Sequence, residues 1–340
     1  MSTVMRDESL FFIQRGDGEA SATTLFPPND VLSFTSASGH DAYEEGRDYL
    51  IDKLSGQVTR LSGSRIPVTT AKELWRSVDP DGSGFMHCRD DPGTFLMCGE
   101  DDLFHRRQAL ITYTHQDGLW RGPVPVWSAA QMPHTWQQLV ESKPLTIGLT
   151  GDSISEGYNA SGFIGVPPYQ PPYLPLVAAG LRETYGSPIA LHNFAAAGWT
   201  ADDGLADVAR VADTNPDLVI VAYGMNDAGY AEAGDFSASI EGIMNQIRRT
   251  SPSAEYVLVS PMLPNPDWHY PVMARFKQYR SALTGLCRPG VVLADLTSLW
   301  TELMKRKSVY DLTGNGINHP NDFGHRLYAQ VILGLFVDRD

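Results

Sequence analysis

Long apolar runs and cysteine are scarce in this sequence of 340 residues, and each scarcity excludes a class of protein. No run approaches the ~18 apolar residues that a membrane-spanning helix needs, so we expect no membrane partner. The three cysteines, Cys88, Cys98 and Cys287, do not make a disulfide framework. The first residues also lack the basic-then-apolar layout of a signal peptide. These features together predict a cytoplasmic protein.

Positive charge is scarce as well, since 26 Lys and Arg stand against 40 Asp and Glu and the net charge is −14. An acidic surface repels nucleic-acid phosphates and anionic lipids, so neither partner is expected. The sequence has neither a Walker A loop nor a dinucleotide-binding glycine fingerprint. The spacing of His87, Cys88, Cys98 and His105 matches no usual zinc pattern. We therefore predict no metal and no cofactor.

The first part of the chain has the pattern of a β-rich module. Short alternating or β-branched runs between turn residues predict strands at residues 10–14, 31–35, 49–52, 58–61 and 109–113. Ser55 and Gly56 lie between two of these runs and predict a hairpin turn. The pattern favours a β-sandwich that ends in the Pro-containing stretch 132–144.

After about residue 140 the pattern changes to alternating strands and helices. Apolar runs predict strands at residues 144–150, 189–194, 217–223, 256–259 and 291–296. Stretches with helical periodicity lie at residues 174–185, 205–212, 236–249, 273–286 and 325–336. This alternation predicts a parallel sheet with helices on both faces and functional loops at the carboxyl ends of the strands. We therefore predict two domains, residues 1–140 and 141–340.

Four short blocks in the second domain carry the residue types that acyl transfer needs. Ser153 follows the first strand, where a serine at a tight turn can present both its hydroxyl and its backbone N–H. Gly198 closes the second strand and Asn226 the third, and each offers a hydrogen-bond donor. His319 precedes the last helix, and histidine is the usual base for a hydroxyl nucleophile. Each block alone is also an ordinary turn, so the order of all four favours a catalytic site.

In this order the blocks resemble the SGNH (GDSL-type) hydrolase family. The matching segments are Gly151-Asp152-Ser153, Gly198, Gly224-Met225-Asn226-Asp227 and His319-Pro320, and the resemblance covers roughly residues 144–340. It implies a flavodoxin-like three-layer α/β/α domain with a parallel five-stranded sheet, preceded here by a smaller, jelly-roll-like β-sandwich. It also implies that Ser153 is the nucleophile and His319 the base. The oxyanion hole would then consist of the N–H groups of Ser153 and Gly198 and the side chain of Asn226.

One position departs from the family's pattern. The family usually has an Asp three residues before the histidine, where this chain has Gly316. One hypothesis is a Ser–His dyad in which a backbone carbonyl or an Asn side-chain oxygen accepts the hydrogen on His319 Nδ1. The other is that Asp311 folds back from earlier in the loop to complete a triad. We favour the dyad, since some family members work in that way, and keep Asp311 as the candidate third member.

Loops near the proposed site are both aromatic and polar, which suits the faces and hydroxyls of sugar rings. From these loops we predict pocket residues Asp152, Tyr158, Trp199 and Trp268, although aromatic residues in Pro-rich loops also commonly pack those loops. Several carbohydrate esterases of this superfamily carry a β-sandwich before the hydrolase domain. We therefore predict a serine esterase that removes a small acyl group, acetyl, from a carbohydrate through an acyl-enzyme intermediate.

Three alternatives to this function stay open. The first is another ester specificity, such as that of a lysophospholipase, thioesterase or aryl esterase. The second is acyl transfer to a sugar, because the same residues serve both reactions. The third is a carbohydrate-binding protein that has lost catalysis with the missing Asp. The expected partner is a small-molecule or oligosaccharide ester, and a homo-oligomer is compatible with the sequence.

Overall fold

β-sheets form the N-terminal part of the chain in the computed structural model, which describes residues 3–79, 82–127 and 129–337. The strands are β1 (Val4–Phe11), β2 (Ile13–Gln14), β3 (Ser21–Thr23), β4 (Pro28–Ser36), β5 (Tyr49–Ile51), β6 (Gln57–Arg60), β7 (Thr69–Thr70), β8 (Trp75–Arg76), β9 (Phe95–Leu96) and β10 (Gln108–His115), with a short helix α1 (Ala71–Leu74) between β7 and β8. Antiparallel strands in the order β1-β10-β4 form one sheet, and the second sheet has the order β5-β6-β3-β2-β7.

The two larger N-terminal sheets pack face to face, which confirms the predicted β-sandwich. Phe34 of β4 lies edge-on to Tyr49 of β5, with ring centroids 4.8 Å apart. Phe12, between β1 and β2, lies 6.4 Å from the Phe34 ring. The predicted hairpin turn at residues 55 and 56 connects β5 to β6, and Gly56 adopts φ +79° there, a value that glycine accommodates without a Cβ clash.

The C-terminal part of the chain is a parallel sheet with helices on both faces. Its strands are β11 (Leu145–Gly151), β12 (Ile189–Asn193), β13 (Leu218–Ala222), β14 (Glu255–Val259) and β15 (Val291–Ala294). Its helices are α2 (Pro133–Val140), α3 (Ser153–Glu156), α4 (Tyr173–Tyr185), α5 (Ala201–Ala212), α6 (Ala233–Thr250), α7 (Met273–Leu286), α8 (Leu296–Leu303), α9 (Val309–Leu312) and α10 (Asp322–Leu333). The strand order is β12-β11-β13-β14-β15, and every neighbouring pair is parallel.

The central strands of the sheet are buried on both faces by the helices. Every residue of β13 and of β14 is buried, as expected for strands that are covered on both faces. Helix α4 packs with α2 and α10, and α6 packs with α5 and α7, so the helices form two layers. This is the predicted three-layer arrangement. Within the described ranges, no helix has both the length and the apolar character that crossing a membrane requires.

The predicted domain boundary at residue 140 coincides with the end of helix α2. The Glu255 carboxylate at the start of β14 accepts hydrogen bonds from the N–H groups of His134 and Thr135, at 3.0 and 2.8 Å. These bonds satisfy donors that the first turn of a helix leaves without partners. Residues 133–140 are thereby joined to the parallel sheet, and the division at residue 140 stays a prediction.

Candidate active site

Ser153 lies where β11 turns into the short helix α3, at the carboxyl edge of the sheet. The Asp152 carboxylate caps α3 by accepting a hydrogen bond at 3.0 Å from the backbone N–H of Ile154. Position 151 requires glycine, because a Cβ there would lie 2.7 Å from the Ala222 carbonyl oxygen of β13. Ser153 is consequently held in a tight turn, with 6% of its surface exposed.

His319 lies beside this serine, with its Nε2 atom 2.8 Å from Ser153 Oγ. The loop that carries His319 folds around Asn315, whose Oδ1 accepts three backbone N–H groups, from residues 317, 318 and 319, at 2.9 to 3.1 Å. When the Ser153 hydroxyl donates to Nε2, the hydrogen of the neutral imidazole is on Nδ1. The two side chains therefore have the arrangement of a hydroxyl nucleophile and its base.

Three side chains lie within hydrogen-bond distance of His319 Nδ1. Glu100 Oε2 is 2.8 Å away, Asn159 Oδ1 is 3.2 Å away and Asn315 Nδ2 is 3.1 Å away. Because Asn315 Nδ2 is a donor, it cannot accept the Nδ1 hydrogen; it donates to Glu100 Oε1 at 3.1 Å and to Asn318 Oδ1 at 3.0 Å. The Nδ1 hydrogen therefore points to a carboxylate, with an amide oxygen beside it.

The loops after β12 and β13 lie at the same edge of the sheet. Ala196 N–H donates to the Gly151 carbonyl at 3.1 Å, which places the first of these loops against the end of β11. Gly198 follows with φ +79°, and no described atom outside its own neighbours lies within 4 Å of the place where a Cβ would stand. Asn226 Nδ2 donates to the Trp199 carbonyl at 2.8 Å and so joins the two loops. The two predicted oxyanion donors are thus on connected loops at this edge.

Two buried carboxyl groups lie beneath the site. Burial, together with the charge of Asp227, raises the pKa of Asp152 to about 7. Burial also raises the pKa of Asp227 to about 6, although its carboxylate accepts hydrogen bonds from Gly224 N–H and Ala201 N–H, each at 3.0 Å. Asp227 therefore ties the Asn226 loop to the start of α5.

Residues 149–327 match the model of the GDSL-like lipase/acylhydrolase family. The chain belongs to this family. No curated protein matches the chain.

Solved structures are similar to this chain at low sequence identity. A two-domain esterase active on acetylated mannans, co-crystallised with mannopentaose, is 20% identical over 62% of this chain and 54% of that one, with a TM-score of 0.49. An acetylxylan esterase from Geobacillus stearothermophilus is 18% identical over 57% of this chain and 95% of that one, also with a TM-score of 0.49. The chain thus spans about half of the length of the esterase active on acetylated mannans.

The structure does not bring Asp311 to His319, which corrects the prediction that this residue completes a triad. Asp311 Oδ1 accepts a hydrogen bond from Phe11 N–H at 2.7 Å, and Oδ2 accepts one from Ser308 N–H at 2.8 Å. Oδ2 also lies 3.6 Å from Lys307 Nζ. Asp311 therefore caps α9 and joins it to β1.

The four predicted pocket residues lie in different environments. Tyr158 has its ring 5.1 Å from the His319 ring, and Trp199 is partly buried beside Gly198, so both lie close to the site. Asp152 is 3% exposed and caps α3, which leaves it little surface with which to line a pocket. Trp268 is also 3% exposed, and its Nε1–H donates to the Phe85 carbonyl at 3.0 Å. Asp152 and Trp268 thus have little exposed surface, and their place in the pocket stays a prediction.

Glu100 is the site residue that the sequence analysis missed. It lies in the segment between β9 and β10, far from the blocks that identify the family, and 219 residues separate it from His319. The one available signal was indirect. Gly316 stands where the family usually has an Asp, so the group that accepts the hydrogen on His319 Nδ1 had to come from another position.

Proposed function

We propose that this acylhydrolase is a serine esterase that removes a small acyl group, acetyl, from a carbohydrate through an acyl-enzyme intermediate. The observation that carries the proposal is the 2.8 Å contact between Ser153 Oγ and His319 Nε2 inside the segment that matches the family. A hydroxyl with a neutral imidazole at this distance is activated as a nucleophile at neutral pH.

The proposed reaction has two steps. His319 Nε2 takes the Ser153 proton as Oγ attacks the ester carbonyl, and the same proton then passes to the departing sugar oxygen. Water, deprotonated by His319, attacks the acyl-enzyme and releases the acid, while the proton returns to Ser153. The N–H groups of Ser153 and Gly198 and the Asn226 amide stabilise the oxyanion in both steps.

The character of the surrounding loops supports a carbohydrate substrate. Tyr169 and Tyr230 are 61% and 59% exposed and Phe163 is 44% exposed, so aromatic faces are available on the loops that follow α3 and Asn226. A polar group, the half-exposed side chain of Glu100, lies beside His319. Rings interspersed with hydrogen-bonding groups suit a sugar better than a long acyl chain, which would need a continuous apolar groove.

Hydrolysis of 4-nitrophenyl acetate tests whether the protein is an enzyme and whether Ser153 is its nucleophile. We expect turnover by the wild type and a fall of at least ~10³-fold in kcat for Ser153→Ala, because the nucleophile is removed. Ser155→Ala, two residues further along α3, is the matched control. Retained turnover in Ser153→Ala would exclude the assigned nucleophile, and an inactive but folded wild type would favour a carbohydrate-binding protein.

The substrate is tested by acetate release from a panel of acetylated polysaccharides and oligosaccharides, with Ser153→Ala as the blank. A series of 4-nitrophenyl esters from acetyl to octanoyl measures the acyl preference in parallel. We expect acetate release from at least one polymer and the highest kcat/KM for acetyl. A clear preference for octanoyl would overturn the sugar-acetyl proposal in favour of a lipid esterase, and acyl transfer to added sugar in preference to water would identify an acyltransferase.

A further inference from the structure

The N-terminal part of the chain contributes a side chain to the candidate site. Glu100 belongs to the segment between β9 and β10, and its Oε2 is 2.8 Å from His319 Nδ1. We propose that Glu100 is the positioning residue of His319 and that the N-terminal part of the chain thereby completes the catalytic site. This inference rests on the proposed function. Glu100 holds the imidazole in the orientation that Ser153 needs and stabilises the imidazolium that forms during attack.

The packing of Gly316 supports this assignment independently of the Glu100 distance. Gly316 has φ +79°, and a Cβ at this position would lie 2.4 Å from Phe104 Cζ and 3.0 Å from the Met97 carbonyl oxygen. Both neighbours belong to the segment that carries Glu100. The segment therefore fills the space that a side chain at 316 would need, and it brings the Glu100 carboxylate to the histidine instead.

The segment is anchored well enough to hold Glu100 in place. Phe104 is fully buried, and its ring lies 5.8 Å from the Phe11 ring and 6.1 Å from the Tyr310 ring. Met97 is also fully buried, and its N–H donates to the Leu74 carbonyl at 2.8 Å. Buried aromatic contacts of this kind fix a loop in one position. Glu100 thus stands between two anchored residues, although half of its own side chain is exposed.

Glu100 is held in its charged form. Partial burial would raise its pKa, but the hydrogen bond and charge of His319 and the hydrogen bond from Asn315 outweigh that effect and lower the pKa of Glu100. Other titratable groups close to the pair are Asp101, next to Glu100, Tyr158, whose ring lies 5.1 Å from the His319 ring, and His325. Burial lowers the pKa of His325 to about 4, so this histidine is neutral at the pH of an esterase assay.

During attack a proton moves from Ser153 Oγ to His319 Nε2, and the imidazole becomes a cation whose Nδ1–H donates to Glu100. The carboxylate keeps its charge throughout and accepts no proton. If Glu100 is replaced by Gln, Asn159 Oδ1 at 3.2 Å can still orient the ring, but the compensating negative charge is lost. The rate, more than substrate binding, should therefore depend on Glu100.

The test compares Glu100→Gln and Glu100→Ala with Asp102→Asn, an acidic residue of the same segment that pairs with Arg106 at 3.0 Å. For Glu100→Gln we expect kcat on 4-nitrophenyl acetate to fall by about 10²-fold, with less than about threefold change in KM. Without the adjacent negative charge, the acidic limb of the pH–rate profile should move to lower pH by about one unit. Asp102→Asn should behave as the wild type.

Chemical rescue separates a charge effect from a structural one. Because the Glu100 side chain is half exposed, formate should reach the space left in Glu100→Ala and restore part of kcat in a concentration-dependent way. Thermal unfolding of each variant reports whether it is folded. Wild-type kcat in Glu100→Gln, an equal loss in Asp102→Asn, or an unmoved acidic limb together with no rescue would overturn the inference. Activity in Ser153→Ala would contradict the proposed function, whereas inactive Ser153→Ala with active Glu100→Gln would contradict the role of Glu100 alone.

Discussion

The buried aspartate next to the nucleophile links stability to pH. Asp152 has a pKa raised to about 7 by burial and by the charge of Asp227, whereas an unfolded Asp titrates near ~3.9. The folded state therefore binds the proton more tightly than the unfolded state. The stabilisation from this group is complete below about pH 4 and is lost as the pH rises to about 7, by up to ~4 kcal/mol.

Asp152→Asn tests this linkage, because the amide oxygen can still cap α3 but carries no charge at any pH. Urea unfolding at pH 4.5 and pH 7.5 should show the variant gaining stability relative to the wild type as the pH rises. Asp117→Asn, at an exposed position, controls for removal of a negative charge. A wild-type-to-variant difference that is the same at both pH values would show that Asp152 titrates no differently in the folded protein.

The sequence predicted the site unevenly, residue by residue. Ser153 and His319 stand in local blocks with recognisable chemistry, and the structure places their side chains in contact. Glu100 stands among three consecutive acidic residues in a loop, and nothing nearby in sequence distinguishes it from a solvated charge. Its position depends on how the sandwich packs against the His319 loop, and tertiary contacts of that kind leave no local pattern.

At the scale of elements, the close contact between the His319 loop and the segment that carries Glu100 predicts the effect of Gly316→Ala. The new Cβ would combine an unfavourable positive φ with the 2.4 Å approach to Phe104, and we expect a loss of ~2–4 kcal/mol in the free energy of unfolding. Activity should fall as well, since displacement of Phe104 moves Glu100. Denaturant unfolding and kcat/KM measure the two effects.

Gly63→Ala is the matched control for this substitution. Gly63 has φ +75°, but no described atom beyond its own neighbours lies within 4 Å of the added Cβ, so only the backbone strain of ~1 kcal/mol should appear. Its activity should be unchanged. Equal effects from the two substitutions would mean that the Phe104 contact contributes nothing beyond the backbone conformation.

Hydrophobic periodicity predicted the five parallel strands and the five longest helices, but it covered only the last two residues of β1 and missed β7, β8 and β9. The run at 144–150 corresponds to β11, and the predicted bounds are offset by one residue from the observed ones. Helix α5 begins at Ala201, four residues before its apolar periodicity begins at 205, because Thr200 and Asp203 form a capping box. Strands β7, β8 and β9 have two residues each, too few for an alternating pattern, and tertiary packing alone defines them.

At the scale of the whole molecule, a buried ion pair joins the sandwich to the hydrolase part. Lys307 and Glu8 have fully buried side chains, and Lys307 Nζ donates to Glu8 Oε1 at 2.5 Å and to the Thr23 carbonyl at 2.8 Å. Glu8 Oε2 also accepts the Tyr113 hydroxyl at 2.6 Å. Buried charges are tolerated only when they are fully paired, so the two parts of the chain should depend on each other for stability.

Lys307→Met should therefore destabilise the whole protein, because it leaves the Glu8 carboxylate buried without its cation. We expect a loss of about 3–5 kcal/mol in the free energy of unfolding. The double variant with Glu8→Gln should recover part of this loss, since position 8 then no longer carries a buried charge without a cation. Arg47→Met, which breaks an exposed pair with Glu44 at 3.3 Å, is the control and should cost less than ~1 kcal/mol.

Urea unfolding of the wild type, followed both by esterase activity and by circular dichroism, should show coincident transitions. The reason is that unfolding of the sandwich breaks the junction and removes Glu100 from His319. An early loss of the sandwich signal with activity retained would show that the junction is dispensable.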